Sequence, residues 1–142
     1  MGKALKQHFT KIQKLFLDQV QENPYVTKTF YLTGGTALAA CYLNHRLSED
    51  IDLFSDVAFD DATVIASMAH IVTKLGVRSK LSKILGRLRY DLEFTNNNLL
   101  KVDFVFYDFK HIEPTNRIKN LSVDSIGDIA VNKLLAISQR TA

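Results

Sequence analysis

Cysteine is nearly absent: Cys41 stands alone in 142 residues. A lone thiol makes no internal disulfide and has no second thiolate to share a zinc ion, which excludes disulfide-stapled scaffolds and zinc knuckles. Cys41 lies within the apolar stretch Ala37–Leu43 and reads as a small core residue. Proline is also scarce, at Pro24 and Pro114, and there is no internal repeat, low-complexity segment or linker. No apolar run approaches the roughly 18 residues that a membrane span needs. The opening MGKALKQHFTKIQK carries lysines but neither the apolar core nor the small-residue cleavage site of a signal peptide. A cytoplasmic protein without a membrane partner is the expectation.

What is present is ordinary for a soluble globular chain: 46% hydrophobic and 23% charged residues. That balance excludes the disordered classes, and the length fits one domain over residues 1–142 with room for a two-layer core. The net charge of +3 is too mild to establish a nucleic-acid partner. Its distribution says more, because Lys74, Arg78, Lys80, Lys83, Arg87 and Arg89 follow one another with no acid between them. Such a run is most often a solvated face; it is also the footprint of a polyanion, either a triphosphate or an RNA backbone.

Apolar positions Leu5, Phe9, Ile12, Leu15, Phe16 and Val20 fall on one helical stripe. Asn23-Pro24 ends that helix, and Phe30-Tyr31-Leu32 reads as a short buried strand. Gly34 and Gly35 break the strand, and Thr36 is placed to cap a helix from Ala37 to about Asn44. Asp50-Ile51-Asp52-Leu53-Phe54 alternates with period two and is a strand with unlike faces. Asp60-Asp61 opens a helix that Gly76 stops near Leu75. Strand character then fills Val77–Phe94, a turn falls at Asn96-Asn97-Asn98, and a strand returns over Leu99–Tyr107. A looser segment contains Pro114, and Asp124-Ser125 caps a last helix over Ile126–Arg140. The order predicts an α/β (α+β) domain: a small mixed, largely antiparallel sheet with helices packed against it.

Three acids carry the chemistry. Asp50 and Asp52 are two apart on a strand and leave the same face, while Ile51 and Leu53 point to the core. Asp103 interrupts the alternation of Lys101-Val102-Asp103-Phe104-Val105-Phe106 on another strand. If the two strands are neighbours the three carboxylates converge, and they repel unless a cation or a proton neutralises them. A hard divalent ion answers that repulsion, and Mg²⁺ favours a few carboxylates plus substrate phosphates. Upstream, Leu32-Thr33-Gly34-Gly35-Thr36 is a strand–turn–helix junction whose backbone N–H groups can approach a phosphate closely, with the Thr36 hydroxyl as a further donor. It is neither a Walker loop nor a dinucleotide fingerprint. Alone, each piece is more often a plain turn or surface charge; their conjunction is the signal. Arg87 and Arg89 share a strand face and either line the cleft or cover a sheet edge, edge charge being the commoner role. His45 reads as a loop residue, and His8, His70 and His111 show no metal-ligand spacing.

Taken together, Gly-Gly-Thr, a helix, Asp-Ile-Asp-Leu-Phe and Val-Asp-Phe resemble the nucleotidyltransferases of the DNA polymerase β superfamily. More closely, Gly34-Gly35-Thr36-Ala37-Leu38, His45-Arg46, Ser48-Glu49-Asp50-Ile51-Asp52-Leu53-Phe54, Lys101-Val102-Asp103-Phe104 and Asp128…Lys133-Leu134-Leu135-Ala136…Arg140 resemble the AbiEii/AbiGii abortive-infection toxin family. The likeness runs from about Tyr31 onward. It implies a nucleotidyltransferase toxin of a bacterial toxin–antitoxin pair, with an antitoxin protein as partner and tRNA as a candidate acceptor. It implies Mg²⁺ on Asp50, Asp52 and Asp103, with the nucleoside triphosphate at Gly34, Gly35, Thr36 and Lys133. Family members usually continue into a helical C-terminal domain with an Arg-Asp pair and a later Asp, which this sequence does not contain. The competing readings are a transferase acting on small molecules, a nucleotide-binding module without turnover, and an RNA- or antitoxin-binding protein that uses the Lys74–Arg89 run.

Overall fold

A computed structural model describes residues 5, 7–43 and 50–141, without the side chains of 139–141. His45, Arg46, Ser48, Glu49 and the Arg140 side chain lie outside the described residues. The first helix, α1 (Lys11–Gln21), starts at a capping box in which the Gln13 amide donates to the Thr10 hydroxyl and the Thr10 amide to the Gln13 side chain. Phe16 and Val20 of the anticipated stripe are fully buried. Leu5 and Phe9 lie ahead of the helix, and Leu15 is exposed. Asn23-Pro24 follows the end of α1 as expected, but Pro24 also opens a second short helix, α2 (Pro24–Thr29), where the sequence predicts only a break. The reason is positional. Proline at the first turn gives up an N–H that no helix needs there, and Asn23 caps the Val26 amide.

Strand β1 (Tyr31–Thr33) runs straight into a helical turn, α3 (Gly34–Ala37), and a wider turn over Leu38–Tyr42. The helix therefore begins at Gly34 and not at Ala37, so Thr36 is not its cap. Strand β2 (Ile51–Ser55) follows, then α4 (Asp61–Leu75), capped by Asp60 and closed by Gly76 in the left-handed conformation. Strands β3 (Arg78–Ile84) and β4 (Arg87–Glu93) form a hairpin whose two central residues, Leu85 and Gly86, both have positive φ, the geometry that matches strand twist. Strand β5 (Leu99–Phe106) comes next. The segment around Pro114, expected to be loose, leads into a second hairpin of two short strands, β6 (Asn116–Ile118) and β7 (Leu121–Val123). Helix α5 (Ile126–Thr141) is last. Its start is fixed as anticipated, with the Asp128 amide donating to the Ser125 hydroxyl.

All seven strands join one sheet in the order β3-β4-β5-β2-β1-β7-β6. The β2–β5 and β1–β7 pairs are parallel and the other four antiparallel, so the sheet is mixed and largely antiparallel. Period-two alternation sorts its side chains by face. Ile51, Leu53, Leu88, Tyr90, Leu92, Val102 and Phe104 are buried and share a cluster with Phe16 and Val20 of α1, Val26 of α2, and Val64 and Met68 of α4. Phe30 meets the Phe104 ring edge-on at 5.1 Å between centroids. Cys41 is buried, and burial pushes its thiol up to about 12, so it is an inert core residue. Within the described residues, no helix is long and apolar enough to cross a membrane.

Candidate active site on the second face of the sheet

The face opposite this core carries the anticipated acids. Parallel pairing of β2 with β5 sets Asp52 directly across from Asp103, and antiparallel pairing of β5 with β4 sets Asp103 across from Arg89. Residues in register on neighbouring strands share a face, so Asp52, Asp103 and Arg89 form one lateral row. Asp50 lies one residue before β2 and is exposed. The two strands are neighbours, as convergence of the acids requires.

Charge within the row is divided unequally. Asp103 is 4% exposed and both of its oxygens accept from guanidinium groups. Arg89 Nε reaches Oδ1 at 2.8 Å, while Arg89 Nη2 and Arg87 Nη1 reach Oδ2 at 3.0 and 2.9 Å. Arg87 and Arg89 therefore do not cover a sheet edge: β4 is an inner strand, and they neutralise a buried acid. Among the described residues, Asp52 has no such partner. Burial, then repulsion from Asp103 and Asp50, pushes its carboxyl up to about 6, with only partial relief from Arg87 and Arg89.

The glycine turn meets this acid. Gly34 has φ +83, and a Cβ added there would lie 2.2 Å from Asp52 Oδ2. Only the absence of a side chain lets the backbone sit against the carboxylate. The Thr36 hydroxyl donates to the Asp50 carbonyl oxygen, and Thr36 is buried. It thus ties the turn to the start of β2. Gly34→Ala is expected to destabilise the fold by at least about 2 kcal/mol, from positive φ together with the clash. Thermal unfolding checks this, and an unchanged midpoint would show that the turn is not packed as described.

Behind the turn stands a group that residue spacing did not reveal. Among the described residues, the set whose ligand atoms all lie within 4.8 Å of one another is His111, Asp124 and Asp128, not the three aspartates. Asp124 is fully buried; its Oδ2 accepts from the Thr33 hydroxyl at 2.8 Å and from Asn132 at 3.3 Å. Its Oδ1 lies 2.9 Å from His111 Nδ1 but receives no aligned hydrogen bond. Burial raises the Asp124 carboxyl against the pull of Thr33 and His111. Asp128 accepts from the backbone amides of Ile112 and Glu113 and from Ser125. These bonds fasten β1, the chain around 111–113 and the start of α5 together, which makes the group a buttress for Thr33 and the glycine turn. The signal available in sequence was the Asp124-Ser125 cap alone, since His111 is brought in by the fold.

A cavity of about 440 Å³ opens beside Gly34 and Gly35 and is lined by Phe54, Tyr107, Arg87 and exposed Lys133, among others. Lys133 thus shares this cavity with the glycine turn. A larger cavity of about 620 Å³, between α1, the end of α4 and Glu93-Phe94, is lined by Lys74 and Arg78 of the basic run and by none of the three acids or the glycine turn. The donor set beside the turn suits a divalent cation. Asp52 is short of positive charge, Asp50 is open to solvent, and Asp103 Oδ1 has accepted a single hydrogen bond.

A mixed sheet carrying a glycine turn packed against the acid of the next strand defines a nucleotidyltransferase-type fold. Residues 16–142 match the family model described as nucleotidyl transferase AbiEii toxin, type IV toxin–antitoxin system. The chain belongs to this AbiEii family. Comparison with curated proteins gives no match. Among solved structures, the chain is similar to JHP933 from Helicobacter pylori, with TM-score 0.61 and 21% identity over 87% of this chain and 53% of that one. It is also similar to a protein of H. pylori provisionally described as a nucleotidyltransferase, with TM-score 0.58 and 21% identity over 87% of this chain and 55% of that one. At that identity the likeness speaks for the fold. The chain spans about half the length of these two proteins.

Proposed function

We propose that the protein transfers a nucleotide from a nucleoside triphosphate to an acceptor hydroxyl, with Mg²⁺ bound at Asp50 and Asp52 and Asp103 as a third ligand. The observation that carries this reading is the row of acids in register on β2 and β5, with Gly34 packed against Asp52. Mg²⁺, when bound, supplies charge stabilisation for phosphates and the attacking oxygen. The chain's own groups do the rest. The Gly34-Gly35 backbone and Lys133 hold the triphosphate, and Arg87 and Arg89 balance the charge of Asp103. In the transfer, the acceptor oxygen bonds to the α-phosphorus as the bond to pyrophosphate breaks. The acceptor proton passes to a carboxylate of the group, Asp103 being the one across from Asp52. Positioning and electrostatics carry such a reaction.

Membership of the AbiEii family supports the finer reading of a toxin acting on tRNA acceptor ends, held in check by an antitoxin protein. The test is incubation with α-labelled NTPs, Mg²⁺ and tRNA, and separately with small-molecule acceptors. Label on tRNA supports the full reading; label on a small acceptor replaces tRNA with that class. The commitment of both Asp103 oxygens to arginine favours a second reading, a module that binds Mg²⁺·NTP without turnover. NTP binding with no labelled product would select it. No binding of Mg²⁺·NTP at all would overturn both.

A further inference from the structure

Beyond the acids and the glycine turn, one wall of the 440 Å³ cavity has a chemistry of its own. Phe54 lies two residues past Asp52 on the same face of β2, and Tyr107 directly follows β5. The rings of Phe54 and Tyr107 are 5.3 Å apart, those of Tyr107 and Phe109 4.6 Å apart, and all three residues line the cavity. Phe109 ends the series and is 52% exposed. A half-exposed ring that closes an aromatic row, with open cavity beside it, offers a face for another flat ring. The Tyr107 hydroxyl is buried and has no hydrogen-bond partner among the described residues, so what Tyr107 offers to the cavity is its ring.

The same cavity is lined by the Gly34-Gly35 backbone and by the cationic side chains of Arg87 and Lys133. A ligand matching both kinds of lining has a polyanionic tail and an aromatic head. The volume falls within the range of pockets that enclose small molecules of this size, about 300–1,000 Å³.

We propose that this wall is the nucleobase subsite: the base of the bound nucleotide stacks on Phe109, with Tyr107 beneath it. This rests on the nucleotide reading of the glycine turn and adds what holds the base. Stacking on an aromatic side chain tolerates any base, so the subsite contributes affinity to every NTP. Phosphate contacts alone would not distinguish a nucleotide from inorganic tripolyphosphate.

That distinction is the test. Binding of Mg²⁺·ATP, CTP, GTP and UTP, and of Mg²⁺·tripolyphosphate, is measured by calorimetry on the wild-type chain, Phe109→Ala and Phe109→Trp. Phe109 is half exposed, so neither change threatens folding. The expected result is a loss of about tenfold to hundredfold in affinity for each NTP in Phe109→Ala, with tripolyphosphate unchanged and Phe109→Trp retaining wild-type affinity. Equal NTP affinity in wild type and Phe109→Ala, or wild-type NTP binding no tighter than tripolyphosphate, would overturn the subsite while leaving the phosphate site standing. Absence of binding by NTPs and tripolyphosphate alike would overturn the nucleotide reading and the subsite with it.

Discussion

Asp52→Asn is expected to raise the thermal stability of the metal-free protein while removing its response to Mg²⁺·NTP. The folded carboxyl sits at about 6, against about 3.9 in an unfolded chain. A group whose folded value is raised favours the folded state fully below the unfolded value, and that advantage is lost as pH rises through 6. At pH 7.5 the wild-type chain therefore carries an ionised Asp52 at a cost of about 2–3 kcal/mol, from about 1.4 kcal/mol per pH unit. Asparagine keeps the shape and drops the charge. The midpoint should rise by about 6–10 °C at pH 7.5, and the gap should close as the pH falls toward 4. Mg²⁺·NTP should stabilise the wild type by mass action and leave the variant where it was. If the residue holds the ion, any transfer activity falls by on the order of 10³-fold, equivalent to about 4 kcal/mol of lost charge stabilisation. A variant less stable than wild type at pH 7.5 would show that Asp52 is compensated in the fold. A variant that still binds Mg²⁺·NTP would remove it from the metal site.

That two-sided expectation was half legible in the sequence. Two-residue spacing assigns Asp50 and Asp52 to one face only while both belong to the strand; β2 starts at Ile51, so alternation places Asp52 but not Asp50. Pairing with Asp103 is another matter. β5 lies beside β2 because the β3–β4 hairpin packs outside β5, an ordering that depends on the whole sheet. Arg87 and Arg89 show the same limit. Their spacing says that they share a face, but their partner is set by the antiparallel register of β4 on β5. β6 and β7 are three residues each, too short to display alternation, and the proline before them imitates a loop. His111 joins Asp124 and Asp128 across 13 and 17 positions of chain by tertiary folding alone. Local periodicity therefore found the elements and one face of the site, while the counter-charges, which decide how each acid behaves, came from strand order.

Those counter-charges support the second large expectation. Arg89→Ala is expected to cost about 3 kcal/mol of stability, more than Asp103→Asn costs, because the two partners differ in their access to water. Asp103 is 4% exposed, and without Arg89 it keeps a single arginine bond, from Arg87 to Oδ2. An under-compensated buried carboxylate carries most of its desolvation cost. The Arg89 side chain is 30% exposed, so a guanidinium deprived of Asp103 can turn to solvent and recover hydration. Urea midpoints of Arg89→Ala, Asp103→Asn and the double variant measure the asymmetry and the coupling in one cycle. The double variant should be more stable than Arg89→Ala alone, since removing the charge removes the need for its partner. Arg89 also draws the Asp52 carboxyl downward, so its loss should raise the pH at which Mg²⁺ binding by the wild-type acids sets in. An Arg89→Ala variant within about 0.5 kcal/mol of wild type, the range of ordinary surface substitutions, would mean that Asp103 is not held as a buried anion, and the charge division across the row would have to be redrawn.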